Sequence, residues 1–465
     1  MSSNSLTGDD ACMPATLYPV NWDALSCLAC QHYQTDGFHW GDHIQGGSNL
    51  IRFLHLHDDS NTILVARIPH DESAFEDDAT IFNRIENEVA MMDFVKARTS
   101  IPIPQVVAFS TETGEVGSPY ILMTKMDGIP LVKVWDEMED EKRRVLLQQV
   151  VDILLQLWSI RFDRPGTLLK RSNGEWYIAS GSLLDDSPSG SPIIDSTTYS
   201  NAADYWLAQI NAKMKEESES DFGRRAKPTS YAMLWFMRSL IPALFDPAID
   251  AHGFPLYPAD FHSQNILITD IDAISGPRIS AVIDWEHSGA SFSSLFAHYP
   301  LFIVDHPAWD DDNPLRSRNL RDQATFLQLL QEAEQKHDHV KVPRLSDLVS
   351  KGYGLYLFFH SLRDEVMMDA LYPDLFRFAF GTESNDFEVA YYLALTRQGI
   401  LSKETRRFEF EHEVFLEAEE VLGKDLVKFG LRREEFRDLV LRDGSLFDSG
   451  GRVCQWLDLE EQLHL

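Results

Sequence analysis

Cysteine is scarce in this chain, and the four among 465 residues are Cys12, Cys27, Cys30 and Cys454. So few thiols favour a reducing compartment and exclude the disulfide-stapled architecture of small secreted proteins. Cys27 and Cys30 form a Cys-x-x-Cys pair, but they lack the βαβ pattern of a redox motif and the further ligands of a metal site. We therefore expect both thiols to lie on a short leading helix and the protein to be cytoplasmic.

Long apolar runs, leader-like segments and excess positive charge are also missing. No run approaches the ~20 apolar residues that a membrane helix needs. Residues 1–13 contain Asp9 and Asp10 but no arginine, unlike a transit peptide. Lysine and arginine total 41 against 73 acidic residues, and the resulting net charge of −32 repels phosphate backbones. We expect neither a nucleic-acid nor a membrane partner, whereas the oligomeric state stays open.

The most informative stretch is a hairpin-like pattern in the second half of the chain. Two apolar runs, Ile266–Ile268 and Ala281–Ile283, flank a segment rich in turn residues. Asp260 and Asn265 precede the first run, and Asp284 follows the second. The hairpin would bring these three side chains together, and such an oxygen-rich set suits Mg²⁺ better than zinc. An ordinary solvated turn of Asp and Asn residues is the alternative.

This stretch resembles the catalytic loop and metal strand of the aminoglycoside phosphotransferase family, which shares its architecture with choline kinases and protein kinases. In that family the loop has the sequence His-Gly-Asp-(Leu/Phe)-His-x-x-Asn-(Ile/Leu)-Leu-Val, and the later strand has the sequence Val-Ile-Asp-Trp-Glu. The residues that match the first motif are Asp260, Phe261, His262, Asn265, Ile266 and Leu267. Those that match the second are Val282, Ile283, Asp284, Trp285 and Glu286.

The resemblance implies an α+β, two-lobed protein-kinase-like fold, with a small antiparallel β lobe and a larger, mostly helical lobe. A hydrophobic content of 44% is enough for such cores. We place a tail and leading helix at 1–40, the nucleotide-binding lobe at 41–128, and the catalytic and substrate lobe at 129–465.

The resemblance also assigns roles in the catalytic loop, with ATP and Mg²⁺ as cofactors. Asp260 would orient a hydroxyl of a small-molecule acceptor and accept its proton. Asn265 and Asp284 would hold Mg²⁺. Neither the acceptor nor the choice between ATP and GTP follows from the residues.

Phosphate-binding residues are predicted near the start of the small lobe. Gly46, Gly47 and Ser48 form a turn between two predicted strands, where backbone N–H groups can approach phosphates. The third strand places Arg67 where protein kinases carry the lysine that holds the α and β phosphates. Arginine keeps the charge but has a larger, planar group, and the alternative is a strand arginine that faces solvent.

Two further elements complete the predicted nucleotide site. The kinase pattern needs a helical glutamate to hold the phosphate-binding cation; Glu88 matches that position better than Glu86, although either can be a surface glutamate. Thr124 and Met126 lie in the segment that resembles the hinge, whose backbone groups would contact adenine. An ordinary strand end before a turn is the alternative there.

Apolar periodicity predicts the helices of both lobes. Their ranges are 22–32, 81–96, 139–160, 202–215, 231–245, 320–337, 346–368 and 411–422. Between them we expect a loop-rich segment at 162–200, most flexible at 187–192, and a solvated acidic break at 216–221.

One departure from the family pattern leaves two hypotheses open. Pro258 and Ala259 stand where the family has His and Gly. Proline has no N–H, and the change from glycine restricts φ, so the loop loses its usual bracing. The first hypothesis is an ATP-dependent small-molecule kinase, because Asp260, Asn265 and Asp284 are intact. The second is a kinase-like binding module that keeps nucleotide affinity without transfer.

Overall fold

The computed structural model describes residues 16–46, 49–70, 78–180, 196–219, 228–305, 309, 312–336, 343–363 and 365–381. The chain divides into two compact units. The first comprises Met1–Ala202 and Pro247–Tyr356, and the second comprises Ala203–Asp246 and Leu357–Leu465. The lobe boundaries predicted at 40/41 and 128/129 stay predictions.

The first unit begins with a helix and a five-stranded antiparallel sheet. Its elements are α1 (Trp22–Tyr33), β1 (Phe38–Gln45), β2 (Asn49–Leu56), β3 (Ile63–Pro69), α2 (Asp78–Arg98), β4 (Val106–Ser110) and β5 (Tyr120–Thr124). The strand order is β1-β2-β3-β5-β4. Strand β2 alternates, so that Leu50, Leu54 and Leu56 are buried in a core shared with Leu25 and Ala29 of α1. The opposite face of β2, which carries Ile51, Phe53 and His55, is only partly buried.

The next part of the chain adds a long helix and short strands, followed by two helices of the second unit. These elements are β6 (Ile129–Pro130), α3 (Asp140–Ser159), β7 (Arg161–Phe162), β8 (Gly166–Lys170), β9 (Trp176–Ala179), α4 (Ala202–Glu219) and α5 (Pro228–Leu244). Helix α3 buries Leu146, Val150 and Leu157 completely in the main core. Gln149 of this helix accepts a hydrogen bond from the amide of Ile279 at 2.8 Å, so the helix supports the segment that follows residue 278.

The remaining described elements form the segment that contains Asp260 and Asn265 and the helices that follow it. They are α6 (Pro247–Asp250), β10 (Phe254–Tyr257), β11 (Ile266–Thr269), β12 (Arg278–Val282), β13 (Gly289–Ala290), α7 (Leu315–Lys336), α8 (Leu345–Lys351), α9 (Tyr353–Arg363) and α10 (Glu365–Phe380). Strands β11 and β12 pair antiparallel, with Ile266 opposite Val282, and β6 pairs with the other edge of β11. The predicted hairpin and the predicted α+β class with antiparallel sheets are both confirmed.

Three secondary-structure predictions need correction. The segment predicted to be loop-rich contains the β8–β9 hairpin, and the acidic residues as far as Glu219 continue helix α4 instead of breaking it. The helix predicted at 346–368 is interrupted at Gly352, where a Cβ would lie 1.4 Å from the carbonyl oxygen of Ala297. The two backbone segments come so close that only glycine fits at position 352. A separate helix begins at Tyr353.

Several predictions concern residues outside those that the structure describes. They are the N-terminal tail through residue 15, the flexible segment at 187–192 and the helix at 411–422. The predicted leading helix is α1, and it carries Cys27 and Cys30 as free thiols. Among the described helices, none has both the length and the apolar character needed to cross a lipid bilayer.

Candidate active site

The loop between β10 and β11 is braced by backbone and hydroxyl groups. Pro258 has no N–H, but the amide of Ala259 donates to the Oγ of Ser288 at 3.2 Å. Ser288 is buried and lies directly before β13. The hydroxyl therefore supplies a hydrogen bond to the loop at the point where the family pattern has a histidine and a glycine.

Asp260 is fixed by hydrogen bonds to both carboxylate oxygens. The Nδ2 of Asn265 donates to its Oδ2 at 2.7 Å and to its carbonyl oxygen at 3.1 Å. The Nε2 of His262 lies 3.1 Å from its Oδ1. Because the amide of Gln264 donates to His262 Nδ1 at 3.1 Å, the neutral imidazole carries its proton on Nε2 and donates to Asp260.

These hydrogen bonds also control the charge of Asp260. The hydrogen bond from His262 lowers the pKa of Asp260 most strongly, burial opposes it, and Asn265 adds to the lowering. Hydrogen bonds to the charged form of a carboxyl favour ionisation. Asp260 is thus a carboxylate at neutral pH, the form that can accept a proton.

The hairpin brings Asn265 and Asp284 next to each other. The amide of Ile283 donates to the carbonyl oxygen of Asn265 at 2.9 Å, which joins the ends of the two strands. Asp284 follows with φ of 63°, a left-handed conformation that aspartate tolerates better than most residues. This turn ends the strand ladder at the position of the predicted metal ligand.

Arg67 lies at the centre of a buried cluster of charges. It donates to Glu88 in a close ion pair, to Asp284 at 3.1 Å, and its Nη2 lies 3.5 Å from Glu286. Arg67 is only 8% exposed, so the alternative of a solvent-facing arginine is wrong. Glu86 is exposed, whereas Glu88 is buried, and the geometry therefore selects Glu88 as the partner of Arg67.

The electrostatics of the cluster follow from its burial. Burial opposes the charge of Arg67, but Glu88, Asp284 and Glu286 outweigh that effect and raise its pKa above the ordinary value. Burial raises the pKa of Glu88 to about 7, with Asp284 and Glu286 adding to the rise against the pull of Arg67. Burial, together with Asp284, likewise raises the pKa of Glu286. A second positive charge near these three carboxylates would stabilise their ionised forms.

The same carboxylates offer a donor set that fits a hard divalent cation. One oxygen from each of Glu88, Asp284 and Glu286 lies within 4.8 Å of the others. Asn265 donates through its nitrogen to Asp260, which leaves its Oδ1 as an acceptor for a cation. Carboxylate and amide oxygens are the ligands that Mg²⁺ takes in proteins. Sequence reasoning named Asn265 and Asp284 as ligands and missed Glu286, although the Val-Ile-Asp-Trp-Glu motif contained it.

The remaining predicted residues lie in or beside the five-stranded sheet. The amide of Thr124 donates to the carbonyl of Gln105 at 2.9 Å, and its Oγ1 accepts from the Gln105 amide at 2.9 Å. Met126 is half-buried. Gly46 closes the β1–β2 turn by donating to the carbonyl of Asn49 at 2.9 Å. Among the described residues, no hydrogen bond or ion pair joins the Arg67 cluster to Thr124, Met126 or Gly46. Gly47 and Ser48 lie outside the described part of the chain.

Helix α2 is anchored by a residue that sequence reasoning missed. Asn87, beside Glu88, is buried, and its Nδ2 donates to the carbonyls of Leu168 and Ser288, each at 3.0 Å. Neither bond has a local sequence signal, because the partners are 81 and 201 residues away. Ser288 thus links α2 to the loop between β10 and β11. Its carbonyl oxygen accepts a hydrogen bond from Asn87, and its hydroxyl oxygen accepts one from the amide of Ala259.

Replacing Asn87 with Leu is expected to destabilise the fold. Each carbonyl that loses its donor in a buried position costs about 1–3 kcal/mol. The free energy of unfolding, measured in urea, should fall by at least that amount. Asn83→Leu is the matched control, since Asn83 is exposed on the same helix and surface changes usually stay within about 0.5 kcal/mol. Equal losses for the two variants would contradict an anchoring role.

Comparison with known proteins identifies the family of this chain. The model of the phosphotransferase enzyme family matches residues 46–292. A protein of Candida tropicalis named altered inheritance of mitochondria protein 9, mitochondrial, is 32% identical over 132 residues, which are 27% of this chain and 20% of that protein. A subtelomeric hrmA-associated cluster protein of Aspergillus fumigatus is 31% identical over 91 residues, 19% of this chain and 18% of that protein. The matched segments therefore span about a fifth of these relatives.

Solved structures are similar at lower identity. The streptomycin–ATP–APH(2")-IIa ternary complex has a TM-score of 0.45 and 13% identity, covering 77% of this chain and 97% of that one. The macrolide 2'-phosphotransferase MphH from Brachybacterium faecium has a TM-score of 0.40 and 14% identity, covering 76% and 98%. The predicted protein-kinase-like fold class is confirmed by the matched family and by the sheet order. With a matched region of more than half its length, this chain belongs to the phosphotransferase enzyme family.

Proposed function

We propose that the protein transfers the γ-phosphoryl group of ATP to a hydroxyl group of a small molecule. The observation that carries the proposal is the pairing of Arg67 with Glu88 beside Asp284. A phosphate-holding cation and a metal-binding carboxylate are the parts on which phosphoryl transfer depends, because this chemistry needs positioning and charge stabilisation above all.

Asp260 acts in this proposal as the group that orients the acceptor. Its ionised carboxylate accepts a hydrogen bond from the incoming hydroxyl and takes its proton as the oxygen attacks. His262 and Asn265 hold the carboxylate in place through their hydrogen bonds. A general base held in this way typically contributes ~10²–10⁴-fold to the rate.

Arg67 provides the positive charge for the α and β phosphates, and Glu88 holds the guanidinium in position. The hinge residues Thr124 and Met126 contact the base, and Gly46 with its turn covers the phosphates. Asn265 and Asp284 would hold Mg²⁺, with Glu286 as a further oxygen donor. The ion supplies charge neutralisation to the phosphate oxygens when it is bound.

One observation favours the second candidate, a nucleotide-binding module without transfer. Arg67 donates to Asp284 at 3.1 Å, so the proposed metal ligand already has a cationic partner. Pro258 and Ala259, which stand where the family has His and Gly, also favour the module without transfer. A screen of hydroxylated metabolites with γ-labelled ATP separates the two candidates. Labelled product from any acceptor supports the kinase, whereas binding of Mg²⁺-ATP without product or hydrolysis supports the module.

Nucleotide binding is expected to depend on magnesium. Asn265 and Asp284 are oxygen ligands for an ion that also contacts phosphate, so ATP should bind more weakly without Mg²⁺. The measurement is calorimetric titration of ATP with Mg²⁺ and with EDTA. Asp284→Asn should lose most of the magnesium effect, whereas Asp272→Asn, on the exposed hairpin turn, should keep it. Equal ATP affinity with and without the ion would exclude the assigned metal ligands.

A further inference from the structure

A layer of three histidines covers one face of the β1–β2 pair. His39 on β1 lies directly opposite His55 on β2. His57 follows two residues later and therefore projects on the same side, since side chains along extended chain alternate. This face is opposite to the one on which Leu54 and Leu56 enter the core. His39 and His57 are exposed, and His55 is half-buried.

Two glycines make room for this layer. A Cβ on Gly37 would lie 2.9 Å from the His57 ring, and one on Gly41 would lie 2.8 Å from Nε2 of His55. Gly37 precedes His39 by two residues and Gly41 follows it by two, and each comes close to one histidine ring. The rings of His55 and His57 therefore lie on glycine backbone, on either side of His39.

The contacts of His39 with its two neighbours differ in kind. Its Nδ1 lies 2.9 Å from Nε2 of His57, with the two rings tilted by 46°. Its ring stacks on His55 at 4.6 Å between centroids and 14° between planes. A metal must lie in the plane of each imidazole that binds it. Nearly parallel stacked rings cannot share one ion, whereas the tilted pair can.

The distance between the two facing nitrogens specifies the preferred ion. Metal–imidazole bonds are about 2.0–2.1 Å long, so nitrogens 2.9 Å apart subtend about 90° at a shared metal. That angle is found between neighbouring ligands in tetragonal Cu²⁺ and Ni²⁺ sites, and it is narrower than the tetrahedral angle of zinc. Without a metal, one of the two nitrogens donates a hydrogen bond to the other.

We propose that His39 and His57 form a two-imidazole binding site for Cu²⁺ or Ni²⁺, with His55 stacked on His39 as support. Water completes the coordination on the exposed side. The site is separate from the oxygen cluster of Glu88, Asp284 and Glu286, whose ligands suit a harder ion. This proposal rests on the chemistry of the two imidazole ligands and is independent of the phosphotransferase reaction.

The experiment is titration of the untagged, full-length protein with Cu²⁺, in excess Mg²⁺ to occupy the oxygen cluster. Calorimetry gives the affinity, and electron paramagnetic resonance gives the number of nitrogen ligands. We expect a signal from two imidazole nitrogens and an affinity order of Cu²⁺ above Ni²⁺ above Zn²⁺. Loss of a supporting residue at a metal site costs 10–100-fold in affinity, so His39→Ala or His57→Ala should cost at least about tenfold.

Two further variants make the test specific. His43→Ala removes another histidine of β1 outside the layer and should leave affinity unchanged. His55→Phe keeps the stacked ring without a nitrogen and should also retain binding. Circular dichroism melts confirm that each variant is folded. The proposal is overturned if His39→Ala and His57→Ala both bind Cu²⁺ as the parent does. It is also overturned if His43→Ala or His55→Phe lowers the Cu²⁺ affinity as much as His39→Ala and His57→Ala do.

Discussion

Replacing Asp260 with Asn is expected to lower phosphoryl transfer by about 10²–10⁴-fold, with little change in nucleotide affinity. The carboxylate accepts from His262 on one oxygen and from Asn265 on the other. An amide offers only one acceptor, so it cannot satisfy both donors and cannot take a proton from the acceptor hydroxyl. The measurement is transfer to an acceptor found in the screen, or background ATP hydrolysis, beside ATP affinity by calorimetry.

Asp270→Asn is the matched control for this prediction. Asp270 is an exposed carboxylate on the turn of the same hairpin, where it contacts Arg278 at 3.4 Å. Its replacement should leave both rate and affinity at the parental level. A parental rate for Asp260→Asn would remove Asp260 from the catalytic assignment. A joint loss of ATP affinity and rate would instead place the residue at the nucleotide.

Replacing Arg67 with Ala is expected to destabilise the fold by about 3–5 kcal/mol, the usual effect of leaving one member of a buried ion pair without its partner. Glu88, Asp284 and Glu286 would then face one another with their oxygens within 4.8 Å. Mg²⁺ should restore part of the stability, because it replaces the missing positive charge among the carboxylates. The free energy of unfolding in urea, measured with Mg²⁺ and with EDTA, tests both statements.

The same variant tests how the nucleotide is held. Charge-assisted hydrogen bonds to phosphate are worth about 1.5–3 kcal/mol each, so Arg67→Ala should weaken ATP by about tenfold or more, and AMP less. Arg278→Ala removes an exposed ion pair and should change stability by about 1 kcal/mol or less. Equal losses for ATP and AMP would show that Arg67 has no phosphate role. A parental free energy of unfolding would contradict the buried ion cluster.

The β11–β12 hairpin is predictable because its signals are local. Two continuous apolar runs, a turn-rich connection and two motifs all fall within 30 residues, from Tyr257 to Glu286. Pairing of neighbouring strands then fixes which ends meet, and so the sequence alone places Asn265 and Asp284 side by side. Helix periodicity likewise places α1, α2, α3 and α7 to within a few residues.

Short strands and helix breaks are not predictable in the same way. The β8–β9 hairpin has few residues and is held by pairing with β13, far away in the chain. Gly352 interrupts a continuous apolar periodicity only because the backbone at Ala297 comes close to it. Both features depend on neighbours that local sequence patterns do not contain.

The two sequence motifs within residues 257–286 determined the fold class through the family resemblance that they carry. The apolar runs and turn residues of the same segment determined the β11–β12 hairpin and placed its three polar residues together, since these follow from patterns between adjacent elements. Only the tertiary structure showed that Arg67 is buried in an ion pair with Glu88, the partner that the sequence favoured over Glu86. It also showed that Asn87 and Ser288 brace α2 and the loop before β11. It also decided that His39 and His57 face each other across two strands. Each of these is a contact between side chains or carbonyls distant in the chain, and its energy depends on burial and distance, which arise only when the chain is packed.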